Sequence, residues 1–304
     1  MEYLVGYTGF VGSNIYESHH FDGLFNSKNI KEAYGRNPDL LVYSGVPAQK
    51  FIANSNPSED MCIIEKAKEN IQMINPKEII LISTIDVYKE PQEVYEDSEI
   101  MDDNEPYGKN RYLLEKWVMD NFDNYLIVRL PGLYGNNIKK NFIYDLINII
   151  PSMLTYEKYE EIKNPLIINS YEDNHNGFYK LKDLNNKDKK ALKNYFCNND
   201  FNALSFTDSR SSFQFYNLKN LWKDITIARE NNIHILNLAT EPITASSLYE
   251  SIMHKEFVNH LNKRVARYNY KTRYDKIFGG KNGYIATKEE ILEDIIQFVK
   301  EKSL

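Results

Sequence analysis

The sequence predicts an α/β fold, a doubly wound parallel sheet with a smaller second domain toward the C-terminus. Three observations point there. Short apolar runs alternate with helical periodicity through the first half. A glycine-rich turn follows the first run. A polar, Asn/Lys/Asp-rich stretch then breaks the pattern.

Tyr3–Val5 is a short apolar strand, and Phe10–Glu17 reads as a helix entered through glycines. Leu40–Tyr43 is a second strand, preceded by the turn signal Asn37-Pro38-Asp39. Glu59–Ile74 has helical spacing, with Ile63, Ala67, Asn70, Ile71 and Ile74 on one side. Glu78–Ser83 is a β-branched run after Asn75-Pro76. Tyr107–Phe122 reads as a long helix and Tyr125–Leu130 as another buried strand. Strand, helix, strand in this order requires parallel pairing, with helices on both faces. Residues 151–211 read as an irregular insertion or small domain rather than more sheet. Ile233–Leu238 returns as a strand, and Ser246–Phe257 and Lys288–Lys302 are amphipathic helices. The expected division is a first domain of residues 1–150 completed by 212–240. Residues 151–211 and 241–304 form the second region. There is no internal repeat.

Composition narrows the function. The chain has 304 residues, 42% hydrophobic and 26% charged, the balance of a globular protein. A net charge of −6 argues against a general nucleic-acid binder. The lysines from Lys187 to Lys193 are interrupted by Asp188, Ala191 and Leu192, as on a solvated surface. No apolar run approaches the roughly 20 residues needed to cross a bilayer. The first residues show neither the basic stretch nor the long apolar core of a signal peptide. Two cysteines, Cys62 and Cys197, cannot make a disulfide framework or a cysteine metal cluster. The adjacent His19 and His20 would diverge on a helix, so no metal site is expected. A reduced, cytoplasmic setting fits.

Gly6-Tyr7-Thr8-Gly9-Phe10-Val11-Gly12 is G-x-x-G-x-x-G directly after a strand and opening a helix. The first glycine permits a tight turn, the second lets the backbone approach a pyrophosphate, and the third lets helix and strand pack closely. The helix N-terminus offers free N–H groups and partial positive charge to phosphates. The turn therefore predicts a Rossmann-type domain binding NAD or NADP. An acid about 20 residues beyond the first glycine would favour NAD by accepting the ribose 2′-OH. Asn26, Ser27 and Lys28 stand there instead. Ser27 and Lys28 suit a 2′-phosphate, which inclines the reading slightly to NADP; a plain surface turn is the alternative.

Strand Ile79–Ser83 runs into Thr84-Ile85-Asp86-Val87-Tyr88, and Glu105-Pro106-Tyr107-Gly108-Lys109-Asn110-Arg111 follows, with Glu115 in the same helix. Here the sequence resembles the extended short-chain dehydrogenase/reductase family, which holds the nucleotide-sugar epimerases and dehydratases. The family's strand ends Ser-Ser/Thr-x-x-Val-Tyr-Gly. Its helix starts Pro-Tyr-Gly-x-Ser-Lys, with a Glu four residues after the lysine. The match puts Thr84 at the catalytic Ser/Thr, Tyr107 at the catalytic tyrosine and Arg111 at the lysine, a departure. Arg129-Leu130-Pro131-Gly132-Leu133-Tyr134-Gly135 resembles the family's Arg-x-x-Asn-Val-Tyr-Gly, with Gly132 for Asn. Arg210, eight residues before Leu218, resembles an arginine that touches the substrate diphosphate, with Asn217 replacing an Asp. Asn237-Leu238-Ala239 and Pro242-Ile243-Thr244 resemble another family segment. The stretch between Gly6 and Ser44-Gly45 is short for the family. The Asn of the family's fourth helix is absent from Ile64-Glu65-Lys66-Ala67.

The resemblance implies an NAD(P)-dependent epimerase, dehydratase or keto-reductase acting on a nucleotide-linked sugar. Tyr107 would be the acid/base, Thr84 would orient the substrate oxygen, and Arg111 would hold the cofactor ribose and tune Tyr107. Gly6, Thr8, Gly9, Phe10, Val11, Gly12, Asn26, Ser27, Lys28, Ser44, Gly45 and Leu133 would line the cofactor. Asp86 and Arg210 would meet the substrate. A homodimer through helices Glu59–Ile74 and Tyr107–Phe122 is also implied. The chemistry needs a tyrosine, ordinarily of pKa near 10, beside a fixed cation. A guanidinium keeps the charge of an ammonium but not its compact shape. Tyr112 with Lys116 repeats the four-residue spacing without the preceding proline. The Arg111 and Gly132 departures leave a second class of function open, a cofactor-binding regulatory or sensor protein without catalysis. A scaffold with a closed pocket is a third.

Overall fold

A computed structural model describes residues 1–175 and 177–303. The elements in chain order are β1 (Glu2–Val5), α1 (Phe10–Ser18), β2 (Gly23–Phe25), β3 (Leu40–Tyr43), α2 (Lys50–Ser55), α3 (Pro57–Ile74), β4 (Glu78–Thr84), α4 (Pro106–Asn121), β5 (Tyr125–Leu130) and β6 (Gly132–Tyr134). Then follow α5 (Phe142–Ile147), β7 (Met153–Thr155), α6 (Tyr156–Ile162), α7 (Pro165–Ser170), β8 (Tyr171–Asp173), β9 (Phe178–Leu181) and α8 (Asn186–Cys197). The last are β10 (Ser212–Phe213), β11 (Phe215–Asn217), α9 (Leu221–Glu230), β12 (Ile235–Asn237), β13 (Ile243–Thr244), α10 (Ala245–Met253) and α11 (Lys288–Ser303).

The chain divides into two compact units. The first comprises residues 1–138, 212–243 and 266–294, and the second 139–211, 244–265 and 295–304. The first unit thus breaks off at 138 rather than 150, and residues 266–294 belong to it rather than to the second region.

The first unit is a six-stranded sheet in the order β12-β5-β4-β3-β1-β2, with its strands paired in parallel. Side chains alternate across a strand, so each strand feeds two cores. Leu4, Leu40, Val42, Ile80, Leu126 and Val128 face one core, closed by Ile15 of α1 and by Leu221, Ile225 and Ala228 of α9. Tyr3, Val5, Leu41, Tyr43, Ile79, Leu81 and Ile127 face the other, closed by Ile64, Ala67, Ile71 and Ile74 of α3 and by Leu114 and Val118 of α4. Near-continuous apolar strands are what burial on both faces demands. The doubly wound, Rossmann-type architecture predicted from the sequence is the one observed.

Three readings need correction. The strand Gly23–Phe25 lies between α1 and β3, where the sequence showed none; it is three residues long and pairs with β1, Val5 opposite Phe25. Residues 151–211 are not irregular. They carry a three-stranded antiparallel sheet, β7-β9-β8, and three helices around a core of Leu154, Tyr159, Ile167, Tyr171, Leu192 and Phe196. The helix expected over Ser246–Phe257 ends at Met253, because His254 takes a left-handed conformation.

Candidate active site

The glycine turn closes at the carboxyl end of β1. Gly6 has φ +92, and a Cβ there would meet the Ser44 carbonyl oxygen at 2.6 Å, so only glycine fits. A Cβ on Gly12 would lie 2.1 Å from the Gly6 carbonyl oxygen, which explains the third glycine as close packing of α1 on the turn. Gly9 is different. Its φ is −79, and a Cβ there would meet only the Gly6 oxygen, at 3.2 Å. Packing within the chain asks little of Gly9. A group lying over the helix entry would explain the bare backbone, and the residues present fit a pyrophosphate there. Thr8 and Gly9 are exposed, and Phe10 and Val11 open α1 at the same point, where first-turn N–H groups lack intrahelical partners.

The neighbouring strand ends supply the rest of this pocket. The Gly6 N–H donates to the Phe25 carbonyl at 2.7 Å, which brings Asn26, Ser27 and Lys28 beside the turn. Asn26 Oδ1 accepts from the Lys28 N–H at 2.9 Å, while the Ser27 and Lys28 residues are exposed. Ser44 Oγ donates to the Val5 carbonyl at 2.9 Å at the end of β3, and Gly45 follows in the open. Leu133, on β6, packs against the core on the α1 side of the sheet.

At the end of β4 the chain turns through Ile85–Val87, and α4 begins at Pro106. A Cβ on Gly108 would lie 1.9 Å from the Asp86 carbonyl oxygen, so the glycine allows α4 to press onto this turn. That contact brings Tyr107 to Thr84. The Thr84 hydroxyl eases ionisation of the Tyr107 phenol, and Thr84 Oγ1 accepts from the Asp86 N–H at 3.2 Å. Tyr107 is only 7% exposed. Burial pushes its phenol above the ordinary value of 10, while the Arg111 charge and the Thr84 hydroxyl pull it back and the Asp86 and Asp60 charges add to the rise. Tyr112, the competing tyrosine, packs instead against the cluster of Ile85, Val87 and Tyr88, with the Lys116 ammonium 6.0 Å from its ring centre.

Arg111 lies with Cζ 4.1 Å over the centre of the Tyr107 ring. Its guanidinium is taken up by protein groups: Nη1 donates to buried Asp60 and Nη2 to the Pro47 carbonyl at 2.7 Å. Asn110 Nδ2 also donates to Asp60, at 2.8 Å. The polar contribution of α3 is therefore Asp60, one turn before the stretch Ile64–Ala67. Asn54 Oδ1 accepts from the Tyr107 N–H at 2.9 Å and fixes the start of α4. The Asp86 carboxylate takes Lys50 Nζ at 2.9 Å and the Tyr268 hydroxyl at 3.0 Å. Asp60, Asn54, Lys50 and Tyr268 were not singled out in the sequence. Lys50, Asn54 and Asp60 on polar helix faces look like solvated residues, Tyr268 lies in a loop, and no spacing rule links any of them to Tyr107.

Within the first unit, Arg129 and Glu115 lie behind the strand ends. Glu115 accepts from Arg129 Nη2 at 2.7 Å and from Ser83 Oγ, and Arg129 Nη1 donates to the Tyr88 hydroxyl at 2.6 Å. Arg129 and Glu115 are 1% and 0% exposed, so this pair braces β4, β5 and α4 from within. Arg210 belongs to the second unit. Its Nε and Nη2 fork onto Asp208 at 2.9 and 2.7 Å, and Asp208 also accepts from the Leu261 N–H at 2.8 Å. Half of the Arg210 side chain stays exposed. Among the described residues no group of three or more His, Cys, Asp or Glu could hold a metal ion, and no helix is long and apolar enough to cross a membrane.

Solved structures with this architecture are numerous. A dTDP-4-dehydrorhamnose reductase from Bacillus anthracis in complex with NADP superposes with a TM-score of 0.66 at 13% identity, covering 98% of each chain. The chain has the fold of the nucleotide-sugar reductases and epimerases. A dTDP-4-dehydrorhamnose reductase from Clostridium acetobutylicum gives 0.64 at 13% identity, over 99% of this chain and 100% of that one. A UDP-N-acetylglucosamine 4-epimerase from Methanobrevibacter ruminantium gives 0.63 at 14% identity, over 98% and 96%. By sequence, no family model and no curated protein matches the chain.

Proposed function

We propose that the protein is an NAD(P)-dependent enzyme that moves a hydride and a proton at a sugar carbon of a nucleotide-linked sugar. The observation that carries this reading is buried Tyr107 beside Thr84 at the carboxyl end of β4, with the Arg111 guanidinium over its ring, in one unit with a glycine turn that Gly9 leaves bare. Ligands in open parallel sheets bind outside the carboxyl ends of the strands. The bound nicotinamide would supply or accept the hydride. Phe10, Val11 and Gly12 would present the helix N-terminus to the pyrophosphate, and Ser44, Gly45 and Leu133 would flank the remaining cofactor. Tyr107 exchanges the proton at its hydroxyl, Thr84 orients the substrate oxygen, and Arg111 sets the charge at the Tyr107 ring. Asp86 would accept from a sugar hydroxyl, and Arg210 would meet the diphosphate.

The lean toward NADP rests on the exposed Lys28 and Ser27 beside Gly6 and on the missing acid. Calorimetry with NADPH and NADH, on the wild type and on Gly9→Val, tests the cofactor assignment. The branched side chain should weaken both by more than about tenfold, about 1.4 kcal/mol, and the wild type should prefer NADPH. Undiminished binding to Gly9→Val would remove the turn from the site.

A further inference from the structure

The charges around Tyr107 come in matched pairs. From α4, Arg111 lies over its ring; from α3, Asp60 takes the Arg111 guanidinium. From the turn after β4, Asp86 faces it; from α2, Lys50 takes the Asp86 carboxylate at 2.9 Å, and Tyr268 donates to the same oxygen at 3.0 Å. Thr84 adds an uncharged hydroxyl that eases ionisation of the phenol. Two cations and two carboxylates leave no net positive charge beside a phenol that is almost fully buried. A single fixed lysine would favour the phenolate, whereas here burial is left to decide, and burial favours the neutral form.

We propose that this site holds Tyr107 as the protonated acid, so the enzyme reduces a keto group on a nucleotide-linked sugar rather than first oxidising a sugar alcohol. Asp60 and Lys50 are its positioning residues. This rests on the functional reading above. Removing hydrogen from a secondary alcohol needs a base ready to accept the hydroxyl proton. Reducing a ketone needs an acid. In balance, ketone, reduced nicotinamide and one proton give alcohol and oxidised nicotinamide. On this chain the Tyr107 O–H bond breaks, the O–H bond of the product forms, and solvent restores the Tyr107 proton. Asp60 cancels the Arg111 charge that would otherwise draw out that proton. Lys50 cancels the Asp86 charge that would otherwise hold it too tightly for transfer. The reaction class that supplies the substrate must therefore be one that leaves a carbonyl on the sugar ring.

Tyrosine labelled with 13C at Cζ reports ionisation directly, without cofactor or substrate. In the full-length protein, the resonance missing from Tyr107→Phe is that of Tyr107. It should keep its phenol position past the ordinary tyrosine midpoint near pH 10. Asp60→Asn, which keeps a hydrogen-bond acceptor for Arg111, should move the midpoint down. Lys50→Met, at a half-exposed position, should move it up. Shifts of opposite sign are not what a merely structural role for either residue would give. A Tyr107 already ionised at neutral pH would overturn the proposal, and so would variants that leave its midpoint unmoved. Should Asp60→Asn fail to fold, the Lys50→Met shift decides. Because nothing need turn over, the titration can fail while the nucleotide-sugar reading stands, and turnover assays can fail while the titration succeeds.

Discussion

The residues of the proposed site differ in how plainly the sequence announces them. Gly6 and Gly12 are legible because backbone approaches of 2.6 and 2.1 Å admit no other residue. Thr84 and Tyr107 are legible because a motif places one at a strand end and the other at a helix start. Asp60 and Lys50 are not, since their partners, Arg111 and Asp86, stand 51 and 36 positions away along the chain. Arg111 itself was visible as a departure, but its engagement by Asp60 was not. At Arg210 the bidentate pair with Asp208 fixes the guanidinium while leaving half the side chain exposed. The N–H groups not turned to Asp208, held in place by that pair, would suit an oxyanion of a diphosphate. Arg210→Ala should raise the KM for a nucleotide sugar roughly tenfold or more, the scale of a lost charged hydrogen bond, and leave NAD(P)H affinity unchanged. A loss of cofactor affinity instead would take Arg210 out of the substrate role.

At the scale of elements, period and length decided what could be read. The strands β3, β4 and β5 are apolar on both faces and were legible in place, while β2 has three residues and too little pattern to register. The second unit hid its core because six buried side chains are spread from Leu154 to Phe196 among lysines and asparagines. The decisive junction is α4 against the turn after β4, where Asn104 Nδ2 bonds the Asp86 and Val87 carbonyls at 2.8 Å each and Gly108 leaves room for the contact. Gly108→Ala would force a methyl to 1.9 Å from the Asp86 oxygen. It should destabilise the protein by about 1–3 kcal/mol, the scale of overpacking in a tight contact, and separate Tyr107 from Thr84. Thermal unfolding and turnover should therefore fall together; an alanine variant with the wild-type Tm would mean that α4 does not press on this turn.

Across the whole molecule, buried tyrosines tie stability to alkaline pH. Burial, the largest cause, pushes Tyr43 and Tyr88 up to about 12, against a hydrogen bond from Asn70 at Tyr43 and, at Tyr88, the Arg129 charge and a hydrogen bond from Asn237. Both values lie above the unfolded value of 10. The folded state thus holds these protons after the unfolded chain has released them. Their contribution is complete below pH 10 and is lost as the pH rises from 10 to 12, about 5 kcal/mol for the two together. Denaturant melts should show a midpoint constant to pH 9.5 and falling steeply above 10; a midpoint flat to pH 12 would contradict the burial of these hydroxyls.

The central claim is that Tyr107 exchanges the reacting proton beside a nicotinamide held by the glycine turn. One comparison tests it most directly, Tyr107→Phe against the wild type, with NAD(P)H binding followed by cofactor fluorescence and deuterium transfer from 4-deuterated NAD(P)H followed by mass spectrometry across a panel of nucleotide keto-sugars. The account predicts that the wild type labels one of them, and that Tyr107→Phe binds the cofactor normally while labelling falls at least about a hundredfold, the contribution of a positioned acid. Full labelling by Tyr107→Phe would contradict it.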